Sequence, residues 1–175
     1  MEKNKSKSTT GYGLEALNDT ALEVEERNKR SRSIIIFNAP ESEAEETHEK
    51  HLADLGLMET ICNELTIDKK TVKTQRLNPG QNKPVTKPLP LRVDFQDTNT
   101  VTQIMKKAKN LGNSKSPVLK NLSLAPDLTP LQRELRKELR TEAKRRNETE
   151  EDQSKIWVVT YKSKLVKTTK KQMII

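Results

Sequence analysis

A row of basic side chains between residues 126 and 146 has the spacing needed to meet a series of phosphates. Its members recur three or four residues apart: Arg133, Arg136, Lys137, Arg140 and Lys144. Residues at these intervals share one face of an α-helix, so a helix here presents a ladder of cations that ends in Arg145 and Arg146. A solvated helix held by its own ion pairs is the alternative, because glutamates at 134, 138 and 142 form a neighbouring acidic row.

The beginning of this helix is marked by three residues. Thr129 and Gln132 have the spacing of a capping box, and Pro130 falls on the first helical position, where no N–H is needed. Apolar residues then recur every four positions: Leu131, Leu135, Leu139 and Ala143. We expect this apolar stripe to dock on the rest of the domain and to leave the basic row free.

The composition limits the 175-residue chain to one modest core. Hydrophobic residues make up 31% and aromatic residues 3%, whereas 33% of the residues are charged. The net charge is +8, and five of these excess positive charges lie in residues 127–175. Such a balance favours a polyanionic partner, most commonly nucleic acid.

Several other classes of protein are disfavoured. The single cysteine, Cys62, forms no disulfide within the chain, and with His48 and His51 it lacks a fourth group for a zinc site. No Gly-rich phosphate loop or nucleophile motif is present, and no apolar run has the length of a signal sequence or membrane span. We therefore expect an intracellular, non-catalytic protein with no cofactor, no metal ion and no membrane partner.

Periodicity and composition divide the chain into five segments. Residues 1–13 are predicted to form a disordered leader, and residues 14–32 a short amphipathic, coiled-coil-like helix with a basic joint. Residues 33–126 form the main domain, 127–154 a charged helix with a polar break, and 155–175 a hairpin and tail. In the first helix, Leu14, Leu17, Ala21 and Val24 keep an a/d spacing for under two heptads. This seam indicates either a homo-oligomer or an amphipathic cap on the domain.

The main domain has an alternating order of strands and helices. Strands are predicted at 34–37, 72–77, 91–95 and 121–125, and helices at 50–65 and 98–111, capped by Thr98 or Asn99 and ended by Gly112. This order predicts an α+β, ferredoxin-like βαββαβ domain of the kind that RNA-recognition motifs share. The long basic helix follows it, and residues 156–159 and 164–167 are predicted to pair as a C-terminal β-hairpin around Lys162 and Ser163.

Base stacking on aromatic residues is the usual mode of RNA-recognition motifs, but their aromatic third-strand signature is missing here. Phe95 shares a face with Leu91 and Val93, so we assign it to the core. Phe37 lies on the opposite face, where it either stacks a base or is covered by a C-terminal segment. Binding should then depend on phosphate contacts, with weak sequence specificity.

Four stretches of the sequence carry a resemblance to a known family over residues 30–167. They are RSRSIIIFNAPESEAE, LPLRVDF, AKNLGNSK and SLAPDLTPLQRELRKELRTEAKRR. The chain resembles the RNA-binding proteins of the first open reading frame of LINE-type (non-LTR) retrotransposons, most strongly in the PDLTP helix. The resemblance implies a coiled coil, an RNA-recognition-like domain, and a chaperone that coats the element's transcript in a cytoplasmic, and also nuclear, ribonucleoprotein. The chain departs from the family in its very short coiled coil.

We therefore predict a cleft between the sheet and the basic helix that binds RNA or single-stranded DNA. Its candidate residues are Arg30, Arg32, Phe37, Arg92, Arg133, Lys137, Arg140, Lys144 and Arg145. Two further groups have open roles: the loop cations Lys83 and Lys87, either solvated or on the nucleic-acid backbone, and Trp157 with Tyr161, either in hairpin packing or on a single strand. The alternative functions are a protein–protein interaction module acting through the helices at 14–24 or 131–139, and a degenerate copy of an element.

Overall fold

The computed structural model describes residues 10–68, 73–78 and 88–170. The helices are α1 (Thr10–Arg30), α2 (Thr47–Glu64), α3 (Thr98–Lys107), α4 (Pro117–Asn121) and α5 (Pro130–Glu148). The strands are β1 (Ser33–Phe37), β2 (Lys73–Arg76), β3 (Leu91–Asp94), β4 (Ser123–Pro126), β5 (Lys155–Val159) and β6 (Leu165–Thr169), and a 3₁₀ helix covers Ala108–Asn113. The chain is a mixed α+β protein with an antiparallel sheet, as the sequence predicts.

The first four strands form one sheet in the order β2-β3-β1-β4, and every neighbouring pair is antiparallel. β1 is central, so Ile35 lies between Arg92 of β3 and Ala125 of β4. Successive side chains of a strand point to opposite faces. One face therefore carries Ile34 and Ile36, and the other carries Ile35 and Phe37.

The core lies on the face of Ile34 and Ile36. Both side chains are fully buried in one cluster with Leu91 and Val93 of β3, and the helices close this cluster through their own apolar residues. Those residues include Met58, Ile61 and Cys62 of α2, and Val101 and Ile104 of α3. Phe95 belongs to the same cluster and is only 5% exposed, which confirms its predicted place in the core.

Several boundaries differ from the predictions. α1 begins at Thr10, inside the predicted leader, and residues 1–9 lie outside the described part, as does Val72. The cap of α3 is Asp97 rather than Thr98 or Asn99, because its carboxylate accepts a hydrogen bond of 2.8 Å from the Thr100 backbone N–H. β4 begins at Ser123 because the preceding residues form α4, which is capped by Ser116.

α5 and the hairpin follow the sheet and are joined to each other. The predicted capping box is present: the Gln132 N–H donates to Thr129 Oγ1 at 3.2 Å, and the Thr129 N–H donates to Gln132 Oε1 at 3.0 Å. β5 and β6 pair as predicted, with Ser163 at φ 53° in their turn. The Asn147 amide exchanges two hydrogen bonds, of 2.9 and 2.7 Å, with the Trp157 backbone, so the hairpin docks on the C-terminal half of α5.

The apolar stripe of α5 does not dock as predicted. Leu131 is 57% exposed and Leu135 45% exposed, whereas Ala143 at the other end of the stripe is buried. A four-residue repeat advances about 40° per step on a helix of 3.6 residues per turn. Leu131 and Ala143 are therefore about 120° apart around the axis, and one flat neighbour does not cover both.

Candidate nucleic-acid interface

A cleft of about 500 Å³ lies between α5 and the sheet face that points away from the core. Ile35 and Phe37 of β1 and Ala125 of β4 contribute an apolar wall on the sheet side. The α5 side is basic and consists of Arg133, Arg136 and Arg140. The predicted cleft between the sheet and the basic helix is therefore present, although only part of its predicted lining is.

Local structure fixes which cations face the sheet. The capping box and Pro130 fix the first turn of α5, and from there the helical repeat determines the direction of each later side chain. Arg133, Arg136 and Arg140 are three and four residues apart, so they form one row along the helix. The hairpin packs on the other end of α5 at Asn147. The row is thus positioned by the contacts at the first turn of the helix.

The three cleft arginines have no carboxylate partner within 4.0 Å among the described residues. Arg133 and Arg140 are exposed and Arg136 is half-buried. Burial, and secondly the positive charge of Arg140, lower the pKa of the Arg136 guanidinium, which nevertheless stays charged at neutral pH. The buried Arg136 Nε has no hydrogen-bond partner. The basic wall therefore has unused capacity for an anion or another acceptor.

Two of the predicted binding residues, Arg30 and Arg92, serve the structure instead. Arg30 Nη1 lies 3.0 Å from Asp127 Oδ1, and Arg92 Nε lies 3.4 Å from the other oxygen of the same carboxylate. Arg92 Nε also donates to Asp94 at 2.9 Å. The Asp127 side chain is 6% exposed. Both guanidinium groups pair with the buried Asp127 carboxylate, so neither is available as a binding residue of the cleft.

The remaining predicted cations lie outside the cleft lining. Lys137 is 78% exposed, 3.9 Å from the Glu134 carboxylate, and Arg145 donates two hydrogen bonds of 2.7 Å to Glu142. Lys144 and Arg32 are exposed. Arg145 lies about 120° around the α5 axis from Arg133, so helical geometry turns it away from the cleft.

Phe37 lies at the mouth of the cleft and is 41% exposed, whereas Ile35 beside it is 8% exposed. β1 ends there because Asn38 adopts a left-handed conformation with φ 59°, and the Asn38 amide donates to the Asn121 carbonyl at 3.1 Å. For this sheet face, the sequence left open whether the side chains are covered or free to stack a base, and the two residues differ in this respect. Ile35 is covered, and Phe37 keeps an open ring surface.

The aromatic residues of the hairpin are largely used in packing. The Arg146 guanidinium lies 4.5 Å from the centre of the Trp157 ring, and the indole N–H donates to Glu150 at 3.1 Å. Tyr161 is half-buried near the hairpin turn. These contacts favour the packing role of Trp157 over base stacking. Lys83 and Lys87 lie outside the described residues.

Sequence reasoning placed Arg136 in the basic row but omitted it from the candidate site. Whether Arg136 faces the cleft depends on the rotation of α5 about its axis. That rotation was predicted incorrectly, because the leucine stripe was expected to dock on the domain. The role of Asp127 was missed entirely. The only signal for it was an acidic residue directly after a predicted strand and before a helix cap, a position that commonly serves local capping.

The predicted absence of a zinc site concerned His48, His51 and Cys62. His51 Nδ1 lies 3.0 Å from Thr74 Oγ1, and Cys62 is buried in the core. Within the described ranges, no group of three or more His, Cys, Asp or Glu residues could hold a metal ion, and no helix is long and apolar enough to cross a membrane.

Comparison with protein-family models yields no match, and no curated protein matches the chain significantly.

Proposed function

We propose that this protein binds RNA or other single-stranded nucleic acid, without catalysis, in the cleft between α5 and the sheet. The observation that carries the proposal is the row of three arginines that face the cleft without carboxylate partners. Elsewhere, arginines that are half-buried like Arg136 are paired: Arg30 and Arg92 with Asp127, and Arg76 with Asp54. Unpaired cations at a concave surface favour an anionic ligand, since the ligand then supplies the missing charge.

The dimensions of the row suit a nucleic-acid backbone. Arg133 and Arg140 are seven residues apart, which corresponds to about 10.5 Å along the helix axis. The two exposed guanidinium groups can therefore contact separate phosphates of one strand. The opposite wall is apolar, so the unstacked bases of a single strand can lie against it, whereas the bases of a duplex are already stacked and paired. Contacts of this kind give salt-dependent binding with weak sequence specificity.

Two further features agree with the proposal. A sheet order of β2-β3-β1-β4, with α2 and α3 on one face, is the order expected of a ferredoxin-like βαββαβ domain, and we propose this fold for residues 33–126. We also propose that the protein is a LINE-type ribonucleoprotein component, acting as a chaperone inside the cell. That assignment depends on the sequence motifs quoted above, of which the PDLTP motif coincides with the β4–α5 junction and its capping box.

The proposal is tested by removing the two exposed cleft cations together. The double variant Arg133→Ala/Arg140→Ala should bind a 12-nucleotide oligouridylate more weakly than the unmodified protein in fluorescence anisotropy. The slope of log affinity against log salt should fall by about 1.4, because each lost phosphate contact on a single strand removes about 0.7.

A matched control removes two exposed lysines from the opposite side of the sheet. Lys50 lies on α2 and Lys106 on α3, so Lys50→Ala/Lys106→Ala changes the net charge equally without altering the cleft. The control should keep the salt slope within experimental error. Equal losses in the two double variants would mean that overall charge, rather than the cleft, governs binding, and would contradict the proposal.

A second candidate function, self-association or partner binding through α1, is favoured by one observation. Leu14, Leu17, Leu22 and Val24 are 67%, 68%, 56% and 49% exposed. Of these residues, Leu14, Leu17 and Val24 keep the a/d spacing of a coiled-coil seam, which a second helix would cover. The variant Leu14→Ser/Leu17→Ser should reduce the mass found by light scattering if α1 joins copies of the chain. An unchanged mass would exclude these leucines from an interface between copies of the chain.

A further inference from the structure

Arg136 differs from the other two cleft arginines in depth and in its unmet hydrogen-bonding capacity. It is half-buried between exposed Arg133 and exposed Arg140, one turn of α5 on either side. Its Nε is inaccessible to solvent and has no hydrogen-bond partner. A buried donor without an acceptor is costly. The Arg136 side chain also lines the cleft, so a ligand that draws the guanidinium toward itself and supplies an acceptor removes this cost.

The surroundings of Arg136 suit a base better than a phosphate. Besides the arginines, the cleft lining includes the ring of Phe37 and the side chain of Ala125, which do not solvate a phosphate, and the Asp127 carboxylate, which repels one. A phosphate pushed against that wall loses water without compensation on that side. A nucleobase instead buries its flat apolar faces there and keeps its polar edge for the guanidinium. The exposed arginines at the rim remain available for the phosphates on either side.

We propose that the cleft takes one unstacked guanine base, with its edge against the Arg136 guanidinium and its face toward Phe37. This inference deepens the proposed nucleic-acid binding and rests on it. Guanine presents two neighbouring acceptors, O6 and N7, which match the two parallel donors of an arginine fork. Adenine presents a donor beside N7 and so repels one arm of the fork. Cytosine also has neighbouring acceptors, but its single ring covers less of the apolar wall.

The test compares 12-nucleotide oligoribonucleotides that differ at one central position. The full chain should bind a strand with one guanosine among uridines about tenfold more tightly than oligouridylate. Replacing that guanosine by 7-deazaguanosine removes N7 and should abolish the advantage. A single cytidine at the same position should give an affinity close to that of oligouridylate. Anisotropy at fixed salt measures all four affinities.

The variant Arg136→Lys keeps the charge but loses the fork. It should bind oligouridylate as the unmodified protein does, and should bind the guanosine-containing strand no more tightly. Three results would each overturn the inference. They are equal affinities of the unmodified protein for all strands, a preference for cytidine, and a guanosine preference that survives Arg136→Lys. These outcomes leave the proposed function intact provided that Arg133→Ala/Arg140→Ala still weakens oligouridylate binding. If Arg133→Ala/Arg140→Ala binds oligouridylate as tightly as the unmodified protein, the proposed function itself is contradicted.

Discussion

The Arg30 guanidinium lies 3.0 Å from the Asp127 carboxylate, which joins the last residue of α1 to the connection between β4 and α5. A second link is formed by the hydroxyl of Thr129, which donates to Glu23 of α1 at 2.6 Å. The residues that begin α5 are therefore held by α1 as well as by their own capping box. The orientation of the cleft arginines depends on this corner of the molecule.

Replacing Asp127 by Asn should destabilise the protein, because the change leaves Arg30 and Arg92 without their shared negative charge. We expect the free energy of unfolding to fall by about 2–3 kcal/mol, as for other pairs that lose one largely buried partner. Urea denaturation followed by circular dichroism measures the change. Asp19→Asn, at an exposed position of α1, is the control and should have an effect below about 0.5 kcal/mol. Identical midpoints for D127N and the unmodified protein would refute the structural role of Asp127.

Arg76 should not tolerate replacement by Lys. Its guanidinium pairs with Asp54 and also donates to the carbonyls of Ala39 and Leu89, both at 2.9 Å. A single ammonium group does not reproduce this geometry, so we expect a loss of about 2–4 kcal/mol in the free energy of unfolding.

The matched control for Arg76 is Arg27→Lys. Arg27 makes a partly exposed ion pair with Glu23 one turn away on α1, and such pairs within a helix contribute less than about 1 kcal/mol. Thermal denaturation of the two variants gives the comparison. A similar small effect of both substitutions would show that charge alone, without the fork, suffices at position 76.

Asn147→Ala should release the hairpin from α5. The substitution removes both hydrogen bonds to the Trp157 backbone, which together contribute about 2 kcal/mol. Trp157 is the single tryptophan of the chain, so the emission reports on the surroundings of its ring, which include Arg146 and Glu150. We expect a red shift and stronger quenching by iodide. Asn63→Ala, at an exposed position of α2, is the control and should leave the emission spectrum unchanged. A red shift in this variant as well would show that the emission does not report on hairpin docking.

The C-terminal half of α5 should lose stability in acid. Hydrogen bonds from Arg145, and then from Arg146, lower the pKa of the Glu142 carboxyl from its ordinary value of 4.5 to about 2. Because the folded-state pKa is the lower one, this contribution is complete above about pH 4.5 and is lost as the pH falls toward 2. Carbon-13 NMR titration of the carboxyl should give a midpoint near 2. Arg145→Gln/Arg146→Gln should raise that midpoint, and an unchanged value would contradict the assignment.

The local signals in the sequence predicted local structure well. Thr129, Pro130 and Gln132 predicted the first turn of α5, and the alternation around Val93 predicted which side of β3 is buried. Both patterns involve neighbours along the chain, whose geometry is fixed by backbone repeat distances. The pairing of β5 with β6 was also predicted, because these two strands are neighbours along the chain.

The candidate site was harder to predict because it depends on contacts between distant segments. One partner of Arg30 is 97 residues away, and its local partner Glu26 predicts an ion pair within α1 but not the contact with Asp127. The rotation of α5 was predicted from Leu131 and Leu135, yet both leucines are exposed and the contact of Thr129 with Glu23 of α1 holds the helix in a different orientation. Tertiary contacts therefore outweigh a weak apolar stripe on a highly charged helix.

The Asp127 contacts also influence the width of the cleft, and therefore the thickness of the ligand that fits into it. α5 is held at its first turn by Asp127 and Thr129, and the hairpin is attached near its last turn. A small change of angle at the first turn moves Arg140 farther than Arg133, because displacement grows with distance from a pivot. The separation of the two walls can therefore be altered by a residue that never touches the bound strand.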